Sequence, residues 1–361
     1  MSQQQQQMAM FIEQLSKMSV DERTNALEAV PEPMRDQMKM LIETQEDLQH
    51  IEAELKPATD APDKKVEDFT VVKAIATMPS MVKIDALTPG EKKFGDCLDD
   101  LEAALHEVGA LDEAALKVCG SMSRPHRRNA LLLLWQMYQK KLAGKVTLDE
   151  ELSAPQRSIV NQVAQKTLAM CQMQVMQKRW VQVALAIMRM CAFVVNGLWS
   201  HTDADSIGHM ATILESDGLP PPKLKLEAAT TSKETGESET LVGKPVVLDV
   251  RLIREHAGLG ELTNTDLLDP QKNPQQILEA YYCLIEGVKP DPTPNSLLGC
   301  TPMVVKKLDE KELKLQVPFG GPPTAGTYQL RVHCVSTSVV GADICVDVTL
   351  TMVDDDVPAL E

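Results

Sequence analysis

Residues 326–353 read GTYQLRVHCVSTSVVGADICVDVTLTMV. Tyr328, Leu330, Val332 and Cys334 alternate with other residues before a turn, and Ile344, Val346, Val348, Leu350 and Met352 alternate after it. A period of two is that of a strand with one face buried, because successive side chains point to opposite sides. Between the runs lies a segment with turn formers Gly341 and Asp343. Gly permits a tight turn, and the Asp carboxylate can accept from turn amides or from the hydroxyls of Ser336 and Ser338. The stretch therefore predicts the closing hairpin of an antiparallel sheet.

Outward from it the same period recurs. Leu224 and Leu226 alternate with Lys and Glu; Leu248, Val250 and Leu252 alternate with Asp249 and Arg251; Leu313, Leu315 and Val317 repeat the pattern. With Tyr281 to Ile285 and Leu297 to Val305, about seven strands result, separated by Gly and Pro loops, as in a β-sandwich. Before Gly218 the period is near 3.6 instead. Capping boxes start at Ser19 and Thr88, a helix start is marked by Ser123 with Pro125, and Ser153-Ala154-Pro155-Gln156 opens another helix. Leu98, Leu101, Leu105 and Val108 share one face, as do Leu131, Trp135, Tyr138 and Leu142. The expected fold class is α + β in separate domains, an all-α helical bundle followed by an immunoglobulin- or fibronectin-like β-sandwich. The expected boundaries are an N-terminal helical segment 1–58, a linker 59–90 that folds locally around Val71 and Ile75, the bundle 91–217, the sandwich 218–353 and an acidic tail 354–361.

Trp180 to Trp199, WVQVALAIMRMCAFVVNGLW, is apolar and long enough to span a bilayer. Its polar residues Gln182, Arg189 and Asn196 recur every seven and form one seam of a helix, and Arg189 at a bilayer centre would cost about 2.5–3.5 kcal/mol. The reading is a buried helix of a soluble bundle rather than a membrane span.

Hydrophobic residues make up 43% and charged residues 24% of the 361, ordinary values for globular domains. Aromatics are only 3% while methionines number 19, so the cores rest on aliphatic and thioether side chains. The net charge of −16 argues against a nucleic-acid binder and for a basic partner. Eight cysteines without a C-x-x-C pair read as free thiols of a reducing compartment. No phosphate loop, dinucleotide fingerprint, nucleophile elbow or H-E-x-x-H helix occurs, and the seven histidines lack ligand spacing, so no catalytic, cofactor or metal site is expected. Arg124, His126, Arg127 and Arg128 cluster at a helix start, where cations gain nothing from the helix dipole. Met170, Met173, Met176, Met188 and Met190 read as core filling rather than as a peptide groove.

The hairpin resembles the closing hairpin of one family, the J-domain-bearing accessory subunit of the endoplasmic-reticulum protein translocon, the Sec-sixty-three family. Gly326 and Tyr328 match its P-G-x-Y element, and Ser336, Ser338, Gly341 and Asp343 match its S-D-S-Y-x-G-x-D element; Thr337 and Val339 depart from it. In the same order, Val195-Asn196-Gly197-Leu198-Trp199 is similar to the end of the family's bundle, Glu279-Ala280-Tyr281-Tyr282 to its tryptophan pair, and Asn295-Ser296-Leu297-Leu298 to its next strand start. The likeness covers about 91–353. No H-P-D tripeptide is present, so the chaperone-recruiting chemistry of the J domain is not implied, and only 203–217 stands where the family has a helical-hairpin domain.

The resemblance implies a non-enzymatic adaptor or scaffold associated with protein translocation, in the cytoplasm or at the cytosolic face of the endoplasmic reticulum, that binds translocon subunits or a basic segment of one. The same module pair occurs in spliceosomal and ribosome-associated RNA helicases, so the alternative is a scaffold of a ribonucleoprotein assembly. Candidate partner-binding residues are Tyr281, Tyr282, Ser336, Ser338, Gly341 and Asp343, with the acidic Asp354, Asp355 and Asp356. Since neighbours on a strand face opposite ways, one of Tyr281 and Tyr282 is expected in the core and the other exposed or covered by the helical block.

Overall fold

A computed structural model describes residues 14, 15, 18, 20–28, 30–59, 68–82, 93–148, 181–269, 271, 277–290, 293 and 295–354. The expected helix from Ser153, Met170 to Met176, and Asp355 and Asp356 lie outside these residues. The chain divides into two compact units, one holding the described residues up to 148 and the other those from 181 onward.

The first unit is all helix: α1 (Val20–Glu28), α2 (Glu32–Thr59), α3 (Asp68–Ala76), α4 (Pro79–Val82), α5 (Lys93–Glu107), α6 (Glu113–Ser121) and α7 (Arg124–Tyr138). Helix α7 is its centre, with Ala130 to Leu134 all buried and α3, α5 and α6 packed on it. The segment read as a linker contains α3, where Val71, Val72 and Ile75 are buried. Nine residues are too few to display a helical period, and their burial comes from long-range packing on α2 and α7. Polar groups pin the turn after α3. Buried Asn129 donates from Nδ2 to the carbonyls of Ala76 at 3.3 Å and Met81 at 3.1 Å, and the buried Asp47 carboxylate accepts from the Ser80 N–H at 2.9 Å. Each satisfies backbone that would otherwise be buried without a partner. The basic residue Arg127 of α7 is likewise employed internally, donating to Glu102 at 3.0 Å and Asp99 at 2.7 Å on α5.

The second unit holds α8 (Val181–Asn196), α9 (Ala204–Ser216), the short α10 (Thr265–Leu268) and eight strands: β1 (Leu224–Ser232), β2 (Glu239–Leu241), β3 (Pro245–Arg254), β4 (Glu279–Val288), β5 (Ser296–Val305), β6 (Glu312–Gly320), β7 (Gly326–Ser336) and β8 (Ile344–Val353). A three-stranded sheet runs β1-β3-β6 and a five-stranded sheet β2-β8-β7-β4-β5. All pairs are antiparallel except β2 with β8. The sheets meet where β1 passes β8, with the Thr230 hydroxyl donating to the Thr349 carbonyl at 3.2 Å, and the strands curl into a half-barrel. Val246, Leu248, Val250 and Leu252 of β3 and Leu330, Val332, Val348 and Leu350 of β7 and β8 are all buried. The read alternation is thus the real one, and the stretch read as the polar loop 230–243 contains the end of β1, which runs on to Ser232, and the extra three-residue strand β2.

Both faces of β4 are buried, which alternation alone cannot signal. One face meets the interior and α8 lies against β4 and β7. Eleven of the sixteen residues of α8 are buried, as befits a helix apolar on most sides. Among the described residues no helix is long and apolar enough to cross a membrane.

Candidate functional site

The residues between β7 and β8 turn inward. Val339, Val340 and Ala342 are buried, so the hairpin tip is a plug rather than a free loop. Its shape is set by side chains binding backbone. The Ser336 N–H donates to Asp343 Oδ1 at 3.1 Å, and Ser336 Oγ accepts from the N–H groups of Val339 at 2.8 Å and Ser338 at 3.3 Å. These are local turn motifs that replace a strand ladder. Gly341 sits at φ +84°, in the left-handed region that favours glycine, and a Cβ there would lie 3.2 Å from Ile207 Cγ1 of α9. Gly341→Ala is expected to lower unfolding stability by about 1–2 kcal/mol from backbone strain. Urea unfolding measures it, and no change would mean the turn relaxes freely.

Helix α8 clasps this turn. Arg189 donates from Nε to Asp343 Oδ2 at 2.7 Å, and Asn196 donates from Nδ2 to the Ser338 carbonyl at 2.9 Å. Two members of the polar seam of α8 thus meet the hairpin, seven residues and two turns apart. The start of β4 joins the same corner, its Ala280 N–H donating to Ser338 Oγ at 2.9 Å and its Ala280 carbonyl accepting from the Thr337 N–H at 3.0 Å. Three stretches far apart in the chain, around Asn196, Ala280 and Ser338, converge on one point. The fourth, at Asn295, serves the other end of β4. Its side chain accepts from the Lys289 N–H at 2.9 Å and donates to Glu286 Oε1 at 2.8 Å, while His333 holds the other carboxylate oxygen at 2.7 Å. Burial raises the Glu286 carboxyl, but these hydrogen bonds outweigh it and leave it below the usual range.

Beneath the corner lies a buried charge cluster. Arg254 donates through Nε to Glu279 Oε2 at 3.2 Å and through a terminal nitrogen to Glu279 Oε1, and also reaches the carbonyls of Leu308 and Glu310. His256 Nε2 lies 3.2 Å from Glu279 Oε1, and the Tyr281 hydroxyl donates to Glu279 Oε2 at 2.6 Å. Burial pushes the Glu279 carboxyl up, yet hydrogen bonds from His256, Arg254 and Tyr281 win and bring it to about 2. Burial, with the carboxylate alongside, drives the Tyr281 phenol well above its usual value.

The sequence-predicted residues therefore divide. Ser336, Ser338, Gly341 and Asp343 form one turn. Tyr281, paired across the strands with Ser336, belongs to the charge cluster, and Tyr282 is also buried, with 0% and 7% of their surfaces exposed. No exposed member of that pair exists, because both faces of β4 are covered. Asp354 is exposed just after β8. Met188 and Met190 are buried core. Sequence reasoning missed Arg254, His256 and Glu279. A signal existed: Arg254 continues the inward parity of Val246 to Leu252, and Glu279 that of Tyr281.

The fold defines a class first, a helical unit and a two-sheet unit whose closing hairpin is clasped by a helix. The Sec63 Brl domain family matches residues 99–349, more than half of the chain, and the chain belongs to that family, a translocation- and helicase-associated module. No curated protein matches the chain. Among solved structures, an alkylpurine DNA glycosylase, AlkC of Pseudomonas fluorescens bound to DNA containing an abasic site analog, is 10% identical over 85% of this chain and 97% of its own, with a TM-score of 0.22. A β-glucosidase from Listeria innocua in complex with gluconolactone is 12% identical over 38% of this chain, with a TM-score of 0.19; the chain spans 18% of that enzyme's length. Both scores lie well below that of a shared fold.

Proposed function

We propose that the chain is a non-enzymatic adaptor or scaffold acting in protein translocation at the cytosolic face of the endoplasmic reticulum, with an immunoglobulin-like sandwich as its interaction domain. The family match over 99–349 carries this reading. In support, the charged groups of the corner, Arg189 with Asp343 and Arg254 with Glu279, are engaged with one another, an arrangement that builds a support rather than a reaction centre. A rigid support suits docking of partners on exposed loops and edges. Among the described candidate contact residues, Gly341 and Asp354 are exposed.

Affinity purification of the intact chain from cells tests the reading. The expected result is recovery of translocon subunits, unchanged by RNase. Recovery of spliceosomal or ribosome-associated proteins that is lost on RNase treatment would overturn it in favour of the helicase-associated scaffold, against which the net charge of −16 speaks.

A further inference from the structure

We propose that residues 233–243 form a releasable strap, in which β2 unlatches from β8 while the rest of the unit stays folded and so uncovers the end of the β8 edge. The inference concerns the edge of the five-stranded sheet and does not depend on the adaptor reading.

Little fastens this strap. β2 pairs with β8 over three residues, Glu239 with Thr351, Thr240 with Met352 and Leu241 with Val353, and one further bond runs from the Val242 N–H to the Val353 carbonyl at 2.9 Å. Every other ladder of the unit is longer and antiparallel. Parallel pairing is the less stable per residue. Of residues 233–243 only Thr240 is buried. An edge strand is ordinarily fastened by apolar side chains. Here the one covered side chain, 0% exposed, carries a hydroxyl with no hydrogen-bond partner among the described residues. A buried hydroxyl left unpaired loses its hydration without return, so the closed state is penalised at the residue that anchors it. The ion pair of Lys244 with Glu234 at 3.3 Å is exposed on both sides and adds little.

The ends of the strap are fixed independently of β8. Upstream, the Lys233 N–H donates to the Pro245 carbonyl at 3.1 Å. Downstream, the Gly243 N–H donates to the Pro322 carbonyl at 3.2 Å, and the Lys244 carbonyl accepts from the Gly321 N–H at 3.2 Å. The flanking strands β1 and β3 pair with each other from Leu224 with Arg254 to Ser232 with Val246. Release therefore frees a short loop whose ends are already held, at small entropic cost, and leaves its neighbours in place. What it bares is the backbone edge of Thr351 to Val353. A free strand edge is where a sheet pairs with another chain; the closed strap denies that edge and the released strap offers it.

Hydrogen exchange on the full chain, followed residue by residue in the native state, tests the strap. Amides of residues 239–242 are expected to exchange about a hundredfold or more faster than those of β3, with little dependence on low urea, as a local opening requires. Thr240→Val keeps the shape and removes the unpaired hydroxyl, and should slow exchange at Val242 about tenfold. A second measurement uses Thr240→Cys, whose new thiol is reachable by iodoacetamide only when the strap is open. Peptide mass spectrometry separates its labelling from that of the exposed Cys345. Slow labelling that goes to completion without urea is expected. Exchange at 239–242 as slow as in β3, exchange with the urea dependence of global unfolding, or labelling only where the whole unit unfolds would overturn the strap. No slowing in Thr240→Val would overturn the role given to the hydroxyl.

Discussion

Replacing Glu279 with alanine is expected to destabilise the protein by about 3–5 kcal/mol, the usual consequence of leaving one member of a buried ion pair alone. The Arg254 side chain is 1% exposed and that of Glu279 7%, so the buried guanidinium would keep its carbonyl partners on Leu308 and Glu310 but lose its counter-charge. Tyr281 and His256 would lose their acceptor as well. The net worth of the pair is a different quantity, because taking two charges from water offsets most of their attraction. A double replacement, Glu279→Leu with Arg254→Met, should therefore recover most of the loss. Chemical denaturation of the four forms measures both, and a Glu279→Ala variant within about 1 kcal/mol of wild type would show that the cluster opens to solvent.

The same carboxylate sets an acid limit. Its folded pKa, about 2, lies below the ordinary 4.5 of an unfolded glutamate. A depressed folded value means stabilisation present above pH 4.5 that is lost as pH falls towards 2. The shift corresponds to roughly 3 kcal/mol at full effect. Stability of Glu279→Gln should be flatter across that window than that of the wild type.

Asp343→Ala should cost about 2–3 kcal/mol, because it removes a charge-assisted acceptor of Arg189 and leaves the Ser336 N–H without its partner. The pair is only part-buried, with side-chain exposures of 23% for Arg189 and 17% for Asp343, so its own share is the smaller part. Arg189→Met separates the two contributions. A double-mutant cycle is expected to return a coupling of about 1 kcal/mol, the remainder belonging to the turn. Strict additivity would mean that α8 and the hairpin are held together by apolar packing alone. Hydrogen exchange at residues 337–342 provides a second measurement, with faster exchange expected in both variants.

Much of this architecture is legible in the residue string. Alternation at Val246 to Leu252 and at Tyr328 to Leu350 locates strands and their inward faces, because a period of two has no other common cause. The seven-residue recurrence of Gln182, Arg189 and Asn196 marks a helix with one polar seam. The residues carrying the family likeness, Ser336, Ser338, Gly341 and Asp343, do form a single turn, since Ser, Gly and Asp shape backbone locally. The sequence by itself also pointed to a chain without familiar catalytic motifs and to its family.

Tertiary structure alone decided the rest. Only folding brings Asn196, Ala280 and Ser338 to one corner, for no local rule links residues so far apart. Whether Tyr282 is exposed depended on what covers the outer face of β4, and a strand buried on both sides shows no period to read. The α3 helix is held by contacts with α2 and α7 that its nine residues cannot announce. Arg254 and Glu279 are individually ordinary charges; their mutual burial makes them a lock and shifts the Glu279 carboxyl. Local propensity and periodicity are written in neighbours along the chain, whereas burial and pairing are properties of neighbours in space.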